Sequence, residues 1–200
     1  MSSQQSDQKC PAMQMLDHGN QFKLVLVVAP PGSGKSRLIR QWARHRTKSF
    51  PWPPLWIIAG HNTKNLADFL NKLSKDITSW DKNSEAHAEL QKILFLEKIA
   101  FRPDNPDAIQ ELPHQLENIV NQLLNRLMRV PGDRFIIILN YHNFHDPGIH
   151  HVIGYLIEYL PPNIHVIISS QDHPALPIPR FRARRELLEI DPDDLNCVSK

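Results

Sequence analysis

Cysteine is nearly absent. The 200 residues hold two, Cys10 and Cys197, near opposite ends. That separation offers neither a framework of disulfides nor the paired spacing of a zinc site, and a reducing cytoplasm is the expected setting. Glycine is scarce too, at seven residues, so a cluster of it carries meaning. Charge of one sign is missing: 23 basic and 21 acidic residues leave a net +2, which points to neither a nucleic-acid scaffold nor an acidic tail. No apolar run approaches the roughly 20 residues of a membrane span. The polar opening MSSQQSDQK has no apolar signal core, so no membrane partner is expected.

What the chain does have is alternation. Residues 1–21 are polar and aperiodic, the pattern of a flexible lead-in. Then Lys23-Leu-Val-Leu-Val-Val28 forms a continuous β-branched run, the pattern of a strand buried on both faces. Similar runs occur at residues 55–59, 135–139 and 164–168, with a shorter edge candidate at Leu187-Leu-Glu-Ile190. Between them lie helical spacings: Leu38, Ile39 and Trp42; Leu66, Phe69, Leu70, Leu73 and Ile77; Leu116, Ile119, Val120, Leu123, Leu124 and Leu127; Ile149, Val152, Ile153 and Leu156. A less regular helix is expected around 86–100. Loops are expected over 102–113 and over the proline-rich 171–180. Strands alternating with helices predict an α/β fold, a three-layer sandwich around a mostly parallel five-stranded sheet. One domain is expected over 22–195, with a short tail at 196–200.

Two of the seven glycines fall in Ala29-Pro-Pro-Gly-Ser-Gly-Lys-Ser36. This is the phosphate loop G-x-x-x-x-G-K-[ST] with alanine at its first position. Small residues let successive backbone N–H groups curl around a phosphate, and the following helix adds its positive end. Lys35 can reach the β- and γ-phosphates, and Ser36 can offer its hydroxyl to Mg²⁺. The expected nucleotide-binding residues are Pro31, Gly32, Ser33, Gly34, Lys35, Ser36 and Arg37.

The carboxylate that usually holds Mg²⁺ at the end of a second buried strand is missing. The candidate strand ends in Leu139-Asn140-Tyr141-His142. Strand four ends in Ser169-Ser170-Gln171-Asp172, where Asp172 is the nearby acid. Magnesium is left with Ser36 and the phosphates, so hydrolysis should suffer more than binding.

The stretch from Ala29 to Gln41-Trp42 resembles the A-P-A-G-x-G-K-T-T-L-L-x-Q-W signature of MalT-type STAND ATPases, the large LuxR-class transcription activators. Trp56 and Phe69 match the family's next strand and helix; with Trp42 they read, apart from the resemblance, as core packing between helices and sheet. Ile136 to His142 matches its hydrophobics followed by D-D-Y-H. Asp146-Pro-Gly-Ile-His150 is similar to its N-P-x-I-H. Ser170 to Arg184 matches its S-R-x-x-P-x-L-P-x-x-R-x-R-A-R. The resemblance implies a P-loop NTPase of the STAND, AAA-like kind that binds ATP or ADP. It puts the family's two aspartates on Leu139 and Asn140 and its sensor arginine on Gln171, while the acidic positions after the Trp56 strand become Gly60 and His61. It also implies helical, winged-helix, sensor and DNA-binding domains beyond these residues, as partners on this chain or another. No helix-turn-helix lies here, so direct DNA binding is not expected.

Six histidines run from His142 to His173 without cysteine or regular ligand spacing, so no metal site is expected among them. Arg180, Arg182, Arg184 and Arg185 read as a solvated edge or a contact with a partner domain. The functional expectation is a regulatory nucleotide-binding module with impaired or absent hydrolysis. The alternatives are an active NTPase using Asp172 as a substitute acid, and a nucleotide-free scaffold left over from a larger regulator.

Overall fold

A computed structural model describes residues 10–46, 53–60, 63, 65–80 and 106–195, with backbone alone for 106–115. The expected helix at 86–100 lies outside these residues. The strands are β1 (Leu24–Val28), β2 (Leu55–Ile58), β3 (Arg134–Leu139), β4 (Ile164–Ser170) and β5 (Leu187–Ile190). The helices are α1 (Pro11–Asp17), α2 (Lys35–Arg46), α3 (Leu66–Trp80), α4 (Pro106–Leu127), α5 (Pro147–Tyr159) and α6 (Ile178–Ala183).

All strands are parallel, in the order β2-β3-β4-β1-β5. β3 and β4 are buried along their whole lengths, as both-face burial in a parallel sheet demands. Alternate residues serve opposite layers. Leu24, Leu26, Ile57, Ile136, Ile138, Val166 and Ile168 join α3, α4 and α5 in one core. Val25, Val27, Phe135, Ile137, Leu139 and Ile167 join α1 and α2 in the other. The result is the three-layer sandwich expected from the sequence.

Four expectations are corrected. The lead-in is structured from Pro11 onward: α1 buries Ala12 and Leu16 against the second core, and Asp17 accepts a hydrogen bond from Trp42 Nε1 at 3.1 Å. Proline at the first helical turn starts this helix, but seven residues are too short to show a period. The loop expected at 102–113 is helical from Pro106, so α4 runs over 22 residues. A proline there marks a helix start, since its missing N–H would have no partner at that position. Part of the proline-rich segment after β4 is likewise helical, as α6. Trp56, expected in the core with Trp42 and Phe69, is only partly buried; with Arg40, Arg44 and Ile58 it lines a shallow groove beside the edge strand.

His165 on β4 is 2% exposed. Its Nδ1 pairs with the Phe22 carbonyl at 2.8 Å, which only a ring N–H can do. Nε2 is then a bare lone pair, buried without a hydrogen bond and 4.0 Å from Asp133. Burial holds its pKa below the usual value, against the opposing pull of the Phe22 carbonyl and Asp133. The unfolded chain, with an ordinary histidine near about 6.5, therefore binds protons that the fold does not. Stability should be full above that pH and decline as the pH falls toward the folded value. Thermal melts between pH 8 and 5 check this, and His165→Gln should flatten the decline.

Candidate phosphate-loop site

β1 leads into α2 on one face of the sheet, whereas its neighbour β4 leads into α6, whose Ile178 and Phe181 belong to the opposite core. Loops from adjacent strands that part in this way leave a crevice at the carboxyl ends, the usual ligand position in parallel sheets. Residues 29–36 fill that position. Ala29 N–H reaches Ser170 O at 3.3 Å, which ties the loop to the end of β4. Asn140 N–H donates to Ser169 Oγ at 3.3 Å, tying the end of β3 to the same place. The folded chain thus gathers the loop, Asn140 and Gln171 at one edge.

The loop is curled by two left-handed glycines, Gly32 at φ 78° and Gly34 at φ 84°. A side chain at Gly32 would have open space, so backbone conformation alone requires glycine there. The first helical bond runs from Leu38 N–H to Gly34 O at 2.9 Å. The N–H groups of Lys35 and Ser36 precede it, the arrangement by which a helix start holds an anion. Lys35 is buried, and its ammonium donates to Ala29 O at 2.5 Å, Pro30 O at 2.8 Å and Ser33 Oγ at 3.3 Å. These bonds hold the loop closed around its own cation. Burial pulls the Lys35 pKa below its ordinary value. Ser33 and Gly34 are partly buried, as is Ser36, while Pro31, Gly32 and Arg37 are exposed.

The curled loop, the helix start and a buried lysine fit a nucleotide's phosphates. The strand ends fit a magnesium ion poorly. Leu139 is fully buried among apolar side chains. Asn140 carries no charge and sits in the left-handed region at φ 58°, ψ 41°, which asparagine tolerates better than most residues. Gln171 is partly buried and Asp172 is exposed.

Behind the β3 end, the loop 140–146 is firmly braced. Tyr141 is buried, and its hydroxyl meets His150 Nδ1 at 2.8 Å; burial pushes the phenol far above its ordinary range. Its ring packs edge-on against Phe144, which packs edge-on against Phe69. Asp146 caps α5 by accepting Gly148 N–H at 2.9 Å and also accepts Leu66 N–H, the first residue of α3, at 3.0 Å. One carboxylate therefore serves two helix starts, each favourable to negative charge.

One histidine, His142, follows the β3 end. It lies in the turn after β3, and its Nδ1 is buried without a hydrogen-bond partner. Burial and the charge of Lys35 hold its pKa down, Asp172 pulls it up, and His145 pushes it down. The arginine cluster, by contrast, lies away from this site. Arg180 and Arg184 both reach Glu158, at 2.7 and 3.3 Å, and Arg182 pairs with Glu189 at 2.8 Å. They flank the start of β5, whose Leu187 is level with Leu24 at the start of β1, the opposite end of the sheet.

This sheet order, with a Gly-Lys-Ser loop at the end of β1, defines the P-loop NTPase fold. Among solved structures the chain is similar to Drosophila ORC bound to DNA, at 17% identity and a TM-score of 0.52, covering 89% of this chain and 85% of that one. It is also similar to Cdc6p from Pyrobaculum aerophilum, at 14% identity and 0.50, covering 94% and 46%. Among curated proteins it is similar to the HTH-type transcriptional regulator MalT of Vibrio cholerae, with 24% identity over 179 residues, 89% of this chain. The Cronobacter sakazakii MalT gives 25% over 181 residues, 90% of this chain. The chain spans 17% and 18% of the length of those two regulators. No family model matches it. No helix among the described residues is long and apolar enough to cross a membrane.

Three variants test the bracing. Asp146→Ala removes an acceptor shared by two helix starts and should cost about 1–3 kcal/mol in urea unfolding. Asn140→Val forces a β-branched residue into the left-handed region and should cost about 1–2 kcal/mol, whereas Asn140→Gly should melt near the parent.

Proposed function

We propose that this chain is a regulatory nucleotide-binding module that holds ATP or ADP and hydrolyses it poorly or not at all. The observation that carries this reading is the asymmetry of the site. The phosphate-holding half is whole: Pro31, Gly32, Ser33, Gly34, Lys35, Ser36 and Arg37 form or adjoin the curled loop and the start of α2. The half that would hold the metal and activate water has Leu139, Asn140 and Gln171 instead of charged groups. Phosphoryl transfer depends on charge positioned around the terminal phosphate, and binding does not need that half. Magnesium, where present, would rest on Ser36 and the nucleotide's own oxygens.

The similarity to MalT regulators supports a switch rather than a turnover role. In that reading, nucleotide occupancy sets a conformation, which helical or sensor domains, on this chain or another, read out in the control of transcription. DNA contact would belong to those domains.

Binding of fluorescent ATP and ADP, with and without Mg²⁺, is the direct test. The parent should bind both, with little gain from Mg²⁺. Lys35→Ala removes a charge-assisted contact and should weaken binding by about tenfold to a hundredfold. A parent chain that binds neither nucleotide overturns the reading.

A further inference from the structure

Helix α2 departs from the charge balance of the chain. It reads Lys-Ser-Arg-Leu-Ile-Arg-Gln-Trp-Ala-Arg-His-Arg and holds no acid. Lys35 is committed to the phosphate loop, and Arg46 donates to Asp17 O at 3.0 Å and lies over the Trp42 ring. Arg40 and Arg44 are exposed one turn apart and line the groove beside β2, where like charges at that spacing repel. Pro53, Pro54, Trp56 and Ile58 complete the lining. Among the described residues the groove has cations on one wall, apolar groups on the other and no carboxylate, and Arg40 forms no ion pair.

β2 is also an edge of the sheet. Among the described residues it pairs with β3 alone. Ala59 N–H donates to Leu139 O at 3.0 Å. In a parallel pair, alternate residues turn both backbone groups to the same side, so Leu55, Ile57 and Ala59 face β3 while Trp56 and Ile58 face outward. Ile58 O accepts the Thr63 hydroxyl at 3.2 Å. Among the described residues, the Trp56 N–H and C=O and the Ile58 N–H are left as a template for another strand. Their side chains lie on the same face of the sheet as α2.

We propose that this groove docks an acidic, extended segment of a partner protein, added as a strand along β2 with two acidic side chains, two residues apart, against Arg40 and Arg44. The spacings match: residues one helical turn apart are separated by about 6 Å along the axis, and alternate residues of a strand by about 7 Å. Main-chain bonds to Trp56 and Ile58 give the segment its register, and the acids give it its identity. The stems of those acids cover Trp56 and Ile58, while their carboxylates relieve the repulsion between the two arginines. A nucleic-acid strand is the competing polyanion. It would use the arginines but leave the backbone edge of β2 unpaired, so the peptide fits more of what the groove offers. No groove residue belongs to the phosphate loop, so the proposal stands apart from the nucleotide reading.

Fluorescence anisotropy of a labelled peptide, Thr-Val-Glu-Val-Glu-Val-Thr, titrated with the full chain is the test. The parent should bind it, more weakly as salt rises, and should not bind the same peptide with lysine in place of glutamate. Arg40→Glu and Arg44→Glu should each weaken binding by about tenfold or more. Lys75→Glu makes the same charge change at an exposed position on α3, in the other layer, and should stay within about twofold of the parent. Two further peptides, N-methylated at alternate residues in opposite phases, read the strand pairing. One phase should lose binding and the other keep it, because only alternate residues of an added strand turn their N–H groups toward β2. Equal effects of the two phases overturn the proposal. So does a parent that does not distinguish the glutamate peptide from the lysine peptide, or arginine variants that bind like the parent. Arginine-dependent binding of a single-stranded oligonucleotide, with no binding of the peptide, overturns it in favour of a nucleic-acid face. Circular dichroism checks the fold of each variant; if a glutamate variant fails to fold, Arg40→Gln and the methylated peptides decide.

Discussion

Parallel pairing obliges every strand to end at the same edge of its sheet, and the site is a product of that constraint. β4 lies between β1 and β3, so three loops distant in sequence meet side by side. The bond from Ala29 to Ser170 and the bond from Asn140 to Ser169 are its local expressions.

Rigidity at that edge is unevenly distributed. The phosphate loop is held mainly by its own lysine, through carbonyls and a hydroxyl that a phosphate would compete with. The β3–α5 loop is held by aromatic packing and by Asp146. The two walls of the edge are thus held by different means, one by polar bonds that an anion could replace and the other by packed rings and a helix cap.

The sequence made the buried strands legible because β-branched runs such as Phe135-Ile-Ile-Ile-Leu139 suit a strand covered on both faces. It made the phosphate loop legible because few other chemistries need that spacing of glycine, lysine and serine. It concealed α1, where seven residues hold too little periodicity, and the beginning of α4, where prolines resemble loop punctuation. Trp56 looked like core because an aromatic in a strand usually is, yet β2 is an edge strand and its ring is only partly covered.

Leu139 limits what the end of β3 can carry. Its side chain has no exposure and is packed among Val27, Ile137 and other apolar groups. A carboxylate placed at that position alone would be a charge sealed in hydrocarbon, costing several kcal/mol unless a metal came with it. A metal site at the end of β3 would therefore require positions around Leu139 to change in concert with it, since a single substitution meets the burial cost before any ion can offset it.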